Sequence, residues 1–424
     1  MENGCFVILG NGGAAIFASE AIRSAGYAGE LHIVSDAITP AFNPMLSPYY
    51  LKGVIPWEGC FPFGSRFYDR HDITCHFDAP AEFLDMTNQR VNLVNGKQIS
   101  YDRCLIATGA SPVMPPVPGL RESSRAYPLR SAESVKNLQK AMRSAKKVIV
   151  LGASLVGLKV AEVMSKNAIK VIVMDIASQL LPNGASPSSA EFIRTYFEEH
   201  GVDFRLGCSI EGMEDLPDGG IMCHFSDNTR EKADFMAVCT GVRPNLNFIE
   251  PDGIEMKQAV LVDERMKTNR ENLYAAGDVS QGYNLITGKQ EWLGTWGNAC
   301  CQGRVAGYNM AGKDGTYQGS IPQNISPFFS WAYAQLGDVQ RCGEFVSHIA
   351  FGDPGNGGYC LLCFEKDVLI GANLINCTDL AGKIRTIITL KRPWGNFIRD
   401  AEVLSEKIGF EKILYKIFNK EWRP

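Results

Sequence analysis

The apolar positions fall into two copies of one arrangement. Residues 6–9 (Phe-Val-Ile-Leu) are an unbroken apolar run, a glycine-rich turn follows over 10–15, helical spacing carries on to about residue 24, and a second strand at 31–34 leads to Asp36. The run 148–151, the turn 152–157, a helical stretch to about 166 and the run 170–174 ending at Asp175 repeat that order. A short stretch that is apolar at every position is a strand covered on both faces. Strand, turn, helix and strand in sequence predict parallel pairing through a crossover helix. Two further runs, Leu105-Ile106-Ala107-Thr108-Gly109-Ala110-Ser111-Pro112 and Val238-Cys239-Thr240-Gly241-Val242-Arg243-Pro244-Asn245, each stop at Thr-Gly and a proline, where a chain must leave a sheet. Four prolines between 112 and 118 read as a stiff connector, and the runs 359–364 and 368–374 predict antiparallel strands near the C-terminus.

Composition narrows the class. The 424 residues are 45% hydrophobic and 21% charged, with a formal net charge of −4, which is a multi-domain globular balance and argues against nucleic acid as a partner. No apolar run approaches the roughly 18–20 residues of a membrane span. Met1-Glu2-Asn3-Gly4 carries no basic segment ahead of the first strand, which predicts no secretory leader. Thirteen cysteines, an odd number scattered along the whole length, predict reduced thiols and a cytoplasmic setting.

The first turn has the chemistry of a dinucleotide site. Gly10 permits the tight bend, Gly12 lets the backbone approach a pyrophosphate, Ala15 allows helix to pack on strand, and free N–H groups at the helix start hold the negative charge. Asp36 ends the second strand, where a carboxylate accepts hydrogen bonds from ribose hydroxyls. In the second turn Gly152 and Gly157 flank Ser154, which stands where a middle glycine is usual. Serine is small and can donate, so a phosphate site is retained. Asp175 favours the 2′-hydroxyl of NADH and repels a 2′-phosphate, and no arginine between 176 and 184 offsets that preference. The expected fold class is α/β, with two Rossmann-like three-layer dinucleotide-binding domains and a smaller α+β C-terminal domain.

Tyr274-Ala275-Ala276-Gly277-Asp278 completes a set of landmarks. Together with the N-terminal GxGxxA and the central ATGxxP it resembles the FAD-dependent pyridine nucleotide–disulfide oxidoreductase superfamily over about residues 5–312. That resemblance implies FAD at Gly10, Gly12, Gly13, Ala14, Ala15, Asp36, Asn43, Ser47, Ala107, Thr108, Gly109, Gly277, Asp278, Trp296 and Ala299. It implies NAD(H) at Gly152, Ser154, Leu155, Val156, Gly157, Lys159, Asp175, Thr240 and Gly241. It also implies a discontinuous FAD domain (1–120 and 241–320), an inserted NAD(H) domain (121–240) and a C-terminal interface domain (321–424).

Within the superfamily, disulfide reductases carry a cysteine pair after the first ribose acid, and related peroxidases and oxidases a single one. Residues 40–48, Pro-Ala-Phe-Asn-Pro-Met-Leu-Ser-Pro, hold no cysteine. The stretch resembles the P-Y-x-R-P-x-L-S-K signature of the ferredoxin and rubredoxin reductase branch through Pro40, Pro44, Leu46 and Ser47. Asn43 replaces its arginine and Pro48 its lysine. Lys159 stands where relatives carry a glutamate beside the nicotinamide, and Trp296, Ala299, Gln302 and Gly303 match W-x-x-A-x-x-Q-G while Gly294 replaces a glutamate.

The expected activity is that of an NADH-dependent FAD oxidoreductase passing electrons, in either direction, between NAD(H) and a one-electron carrier or iron–sulfur protein, within a homodimer or larger complex assembled through the C-terminal domain. Two alternatives stand beside it: an oxidase or small-molecule reductase working directly from the flavin, and a redox-responsive NADH-binding flavoprotein with little turnover. No side chain is singled out as catalytic and no metal is expected. Cys360 and Cys363 have CxxC spacing but lie in a strand-like run, which favours core thiols, and Cys300-Cys301 diverge on a helix. Residues 401–424 read as an amphipathic helix, either packed on its own domain or offered to an acidic carrier or a membrane surface.

Overall fold

The computed structural model describes residues 4–250, 253–391 and 393. The C-terminal helix expected at 401–424 lies outside the described residues. The chain forms two compact units. One gathers described residues within Met1–Val113, Leu129–Gln139 and Val242–Ser320, the other those within Met114–Pro128, Lys140–Gly241 and Ile321–Pro424.

The first unit is built on β1 (Cys5–Leu9), α1 (Gly13–Ser24) and β2 (Glu30–Val34), the predicted strand–turn–helix–strand. β1 lies at the middle of a five-stranded parallel sheet, flanked on one side by Arg103–Ile106 and Leu273–Ala275 and on the other by β2 and Thr74–His76. Both faces are covered, so Val7, Ile8 and Leu9 are wholly buried, as an unbroken apolar run requires. The two Thr-Gly-Pro landmarks meet: Ala110–Pro112 pairs antiparallel with Val242–Pro244.

The second unit repeats the arrangement with β3 (Lys147–Leu151), α2 (Leu155–Lys166) and β4 (Lys170–Asp175). These belong to a parallel sheet in the order Val202–Leu206, β4, β3, Phe235–Val238, Ala126–Pro128. The unit also holds an antiparallel five-stranded sheet of residues 323–375 packed with the helix Ala381–Leu390. The two apolar runs predicted as antiparallel strands are neighbours there, with Leu361 opposite Asn373. Cys360 and Cys363 are both fully buried in that sheet, and burial pushes the Cys363 thiol up to about 12.

α3 (Trp296–Met310) returns to the first unit and lies against α1. Glycines make that crossing possible. A Cβ on Gly303 would stand 2.2 Å from the Ala14 carbonyl oxygen, and one on Gly307 2.4 Å from that of Ala18. The helices are therefore in backbone contact, and Ala14, Ala15 and Ala18 are buried beneath them.

Candidate functional site

Where β1 ends, the backbone at Gly10 takes φ +115°, a region open to glycine and costly to other residues. The bend is pinned from two strands: Gly10 N–H donates to Val34 O at 2.7 Å, and Ala107 N–H donates to Leu9 O at 2.7 Å. Gly12 then caps α1 with no side chain accepting from its first N–H groups. No heavy atom lies within 4 Å of where a Gly12 Cβ would sit. An uncapped helix start facing open space fits the pyrophosphate of a dinucleotide, because the orphan donors and the helix dipole favour an anion there.

The surrounding side chains hold this cradle. The Tyr68 hydroxyl donates to Asn11 Oδ1 at 2.7 Å while accepting from Ala41 N–H at 2.9 Å, and Asn11 Nδ2 donates to Thr39 O at 3.1 Å. Burial pushes the Tyr68 phenol up to about 12, so it stays a neutral donor. Asp36 is exposed beyond β2 with Ser35 Oγ donating to it at 3.3 Å, and its remaining acceptor capacity faces solvent. Thr108 Oγ1 donates to Asn245 O and Asn245 Nδ2 to Thr108 O, both at 2.9 Å, which locks the Ala107-Thr108-Gly109 turn. Asn43, in place of the arginine, caps the Pro44–Leu46 turn by accepting from Met45 N–H at 3.0 Å, and Ser47 is buried at the start of the next helix.

On the other edge, Gly277 N–H donates to the buried Gln302 Oε1 at 2.8 Å. Asp278 takes Arg130 Nη2 at 2.5 Å, and Trp292 Nε1 donates to the Asp278 carbonyl at 2.8 Å. Trp296 opens α3 against Gly13, where an added Cβ would stand 3.2 Å from the indole, and Ala299 packs beside Gly277. Sequence reading missed Tyr68, Arg130 and Asn245. The only trace of the last was its place after the second Thr-Gly-Pro.

The second unit departs from the first in its turn. Gly152 repeats the bend at φ +111°, backed by the Cys239 carbonyl. Ser154 Oγ, however, donates to Cys239 O at 3.0 Å and accepts from Gly157 N–H at 3.4 Å. The hydroxyl thus closes the turn and caps α2, where the first turn leaves its N–H groups open. Leu155 and Val156 begin the helix, Val156 being exposed, and Gly241 has open space beside it after Thr240. Asp175 accepts from Ala153 N–H at 2.7 Å and Ala177 N–H at 2.9 Å. A carboxylate offers about four lone-pair sites, so capacity remains for a ribose hydroxyl. Lys159 turns into the protein: its buried ammonium meets Glu162 Oε2 at 3.0 Å and the Pro327 carbonyl.

No thiol adjoins residues 40–48 in sequence. The nearest, Cys60, is wholly buried and its acidity is pushed down by that burial, so it stays a thiol. All thirteen cysteines are unpaired.

Comparison with known proteins agrees with this geometry. The family model described as pyridine nucleotide-disulphide oxidoreductase matches residues 5–303. The NADH-dependent phenylglyoxylate dehydrogenase subunit epsilon of Aromatoleum evansii is 31% identical over 87% of this chain and 87% of its own length. Rubredoxin-NAD(+) reductase of Pseudomonas putida is 28% identical over 91% of this chain and 99% of its own. The reductase in a covalent putidaredoxin reductase–putidaredoxin complex shares the fold, with a TM-score of 0.88 at 23% identity, over 98% of this chain and 99% of that one. The chain belongs to the pyridine nucleotide-disulphide oxidoreductase family and is an FAD-dependent NAD(H) oxidoreductase.

Proposed function

We propose that this chain passes electrons between NAD(H) and a one-electron carrier protein of ferredoxin or rubredoxin type, or an iron–sulfur subunit of a larger complex. The observation that carries the proposal is the missing thiol relay: residues 40–48 lack cysteine and Cys60 is buried and protonated. Electrons therefore leave the flavin by a route other than cysteine. FAD, when bound, supplies the exchange between a two-electron hydride and single electrons. The chain's part is to bind and orient. Gly10, Gly12 and Gly13 with the start of α1 hold the pyrophosphate, Asp36 the adenosine ribose, and Ala107–Gly109, Asp278, Trp296 and Ala299 frame the rest. Gly152, Gly157, Asp175, Thr240 and Gly241 hold the NAD(H). The relatives named for rubredoxin and for a dehydrogenase subunit support a protein acceptor. We place the NAD(H) domain at 121–240 within the FAD domain, the partner interface in 321–424, and the protein in the cytoplasm, in keeping with thirteen unpaired thiols. Among the described residues no helix is long and apolar enough to cross a membrane.

The test is anaerobic stopped-flow mixing with NADH, then with oxidised ferredoxin or rubredoxin. Bleaching of the visible flavin band followed by rapid carrier-dependent recovery is expected. Recovery with oxygen or a small molecule alone would replace the proposal with a direct oxidase or reductase. A second measurement addresses the nucleotide. Asp175→Ala should weaken NADH binding about tenfold, the loss of a charge-assisted hydrogen bond of ~1.5 kcal/mol, while NADPH binding holds or improves. Equal losses for both would sink the assignment of Asp175.

A further inference from the structure

Among the described residues, one group of three potential metal ligands converges: Cys5, Glu30 and His32, whose donor atoms all lie within 4.8 Å of one another. The sheet brings them together. Cys5 and Glu30 are the first residues of β1 and β2 and stand opposite each other in parallel register, and His32 lies two residues on, on the same face as Glu30.

We propose that Cys5, Glu30 and His32 form a site for a single divalent cation of borderline softness, with zinc as the reference ion and water completing the tetrahedron. The donor set is one such cations take: a thiolate, an imidazole and a carboxylate. His32 Nε2 and Glu30 Oε2 are already 3.3 Å apart. Zinc bond lengths of about 2.0–2.2 Å at a tetrahedral angle call for a spacing of about 3.4 Å. The Cys5 sulfur needs about 3.6 Å from the nitrogen by the same arithmetic, a contraction of roughly an ångström at most, which the exposed Glu30 and a small rotation of the thiol accommodate.

Two surrounding groups support the site. His32 Nδ1 is 3.1 Å from His76 Nε2, so a His32 that ligates through Nε2 carries its proton on Nδ1 and donates it to His76. That is the outer hydrogen bond metal-bound histidines make. Asp102 Oδ2 accepts from Cys5 N–H at 2.7 Å and adds a second negative charge near the sulfur. Binding must displace the thiol proton, which burial together with Glu30 and Asp102 holds on up to about pH 11. One proton is released per cation bound. The Glu30 side chain, 75% exposed, gives the entry path.

The site lies at the N-terminal ends of the strands, while the Gly10 turn lies at the other end of β1, about 16 Å along the strand. It therefore clips β1 to β2 and stands apart from flavin binding and from the proposal for electron transfer.

The experiment uses the full-length flavoprotein, freed of metals by chelator and titrated with zinc chloride by calorimetry. Binding of one zinc per chain at micromolar or tighter affinity is expected. Cys5→Ser and the exposed-site variant Glu30→Gln should each weaken it at least tenfold, and His76→Gln about tenfold. Cobalt should give tetrahedral d–d bands to the red of the flavin spectrum, lost in Cys5→Ser. The flavin band and its bleaching by NADH should be the same in Cys5→Ser and Glu30→Gln as in the wild type, so failure here leaves the electron-transfer reading standing and the reverse also holds. Zinc affinity unchanged in Cys5→Ser and Glu30→Gln would overturn the proposal by pointing to other thiols such as the exposed Cys301 and Cys342. No zinc bound below millimolar concentration would reduce the group to a hydrogen-bond chain from His76 through His32 to Glu30.

Discussion

Gly10→Ala should be recovered largely without flavin, with a melting temperature several degrees below wild type. The added Cβ would stand 2.1 Å from the Ala107 carbonyl oxygen and 2.6 Å from its carbon. Neither side can withdraw, because the Gly10 N–H is bonded to β2 and Ala107 is bonded to β1. The backbone at φ +115° adds strain of about 1–3 kcal/mol for a residue with a side chain. A combined cost of roughly 3 kcal/mol corresponds to more than a hundredfold in an equilibrium and, for a unit of this size, to a fall of ~6–12 °C. Flavin-to-protein absorbance and a thermal melt check it. Gly12→Ala is the informative companion. Its Cβ meets nothing within 4 Å in the protein, so the apoprotein should melt as wild type while FAD binding weakens through crowding of the pyrophosphate. If both variants keep stoichiometric FAD, the first turn is not the flavin cradle.

Glu162→Leu is expected to destabilise the second unit by about 3–5 kcal/mol. Glu162 is wholly buried. Its Oε2 meets Lys159 at 3.0 Å, and its Oε1 meets Lys166 at 3.2 Å and the Phe329 N–H at 2.9 Å. The variant removes the carboxylate that meets the Lys159 ammonium, itself 7% exposed, in the interior. Removing one partner of a buried pair costs far more than removing both, so Lys159→Met combined with Glu162→Leu should recover most of the loss. Denaturant unfolding of the single and double variants measures the coupling. Equal destabilisation by the single and the double would show that shape, not charge, holds this contact. The position resembling the family's nicotinamide-side glutamate is thus a lysine here, and its carboxylate partner lies one helical turn further on, facing the Gln323–Phe328 strand and the residue after it.

Much of this was legible in the sequence because it is local. An unbroken apolar run followed by a glycine bend specifies a covered strand and its exit, so β1, α1, β3 and α2 end within a residue or two of their sequence signals. The places of Asp36 and Asp175 were legible because strand ends fix where a carboxylate can stand, and Asp278 was singled out through the family resemblance. What was not legible depends on register or on distant partners. Ser154 reads as a small turn residue, yet only the neighbouring Phe235–Val238 strand and the residue after it reveal that its hydroxyl is occupied by Cys239. Arg130 and Tyr68 lie in segments with no periodic signal and reach the cradle by their side chains. Cys5, Glu30 and His32 have no metal-ligand spacing along the chain and meet only through parallel pairing of β1 with β2.

The backbone contact between α1 and α3 also bears on how the protein is made. The chain emerges from the ribosome N-terminus first, so α1 is complete long before Gly303 and Gly307 exist to cover it. At about 5–20 residues per second, the wait from α1 to α3 is roughly 15–60 s. The parallel sheet of residues 126–238 is synthesised in full within that interval. The face of α1 that α3 covers therefore stays uncovered until translation has passed residue 310, and α2 waits longer still for the Gln323–Phe328 strand that packs against it.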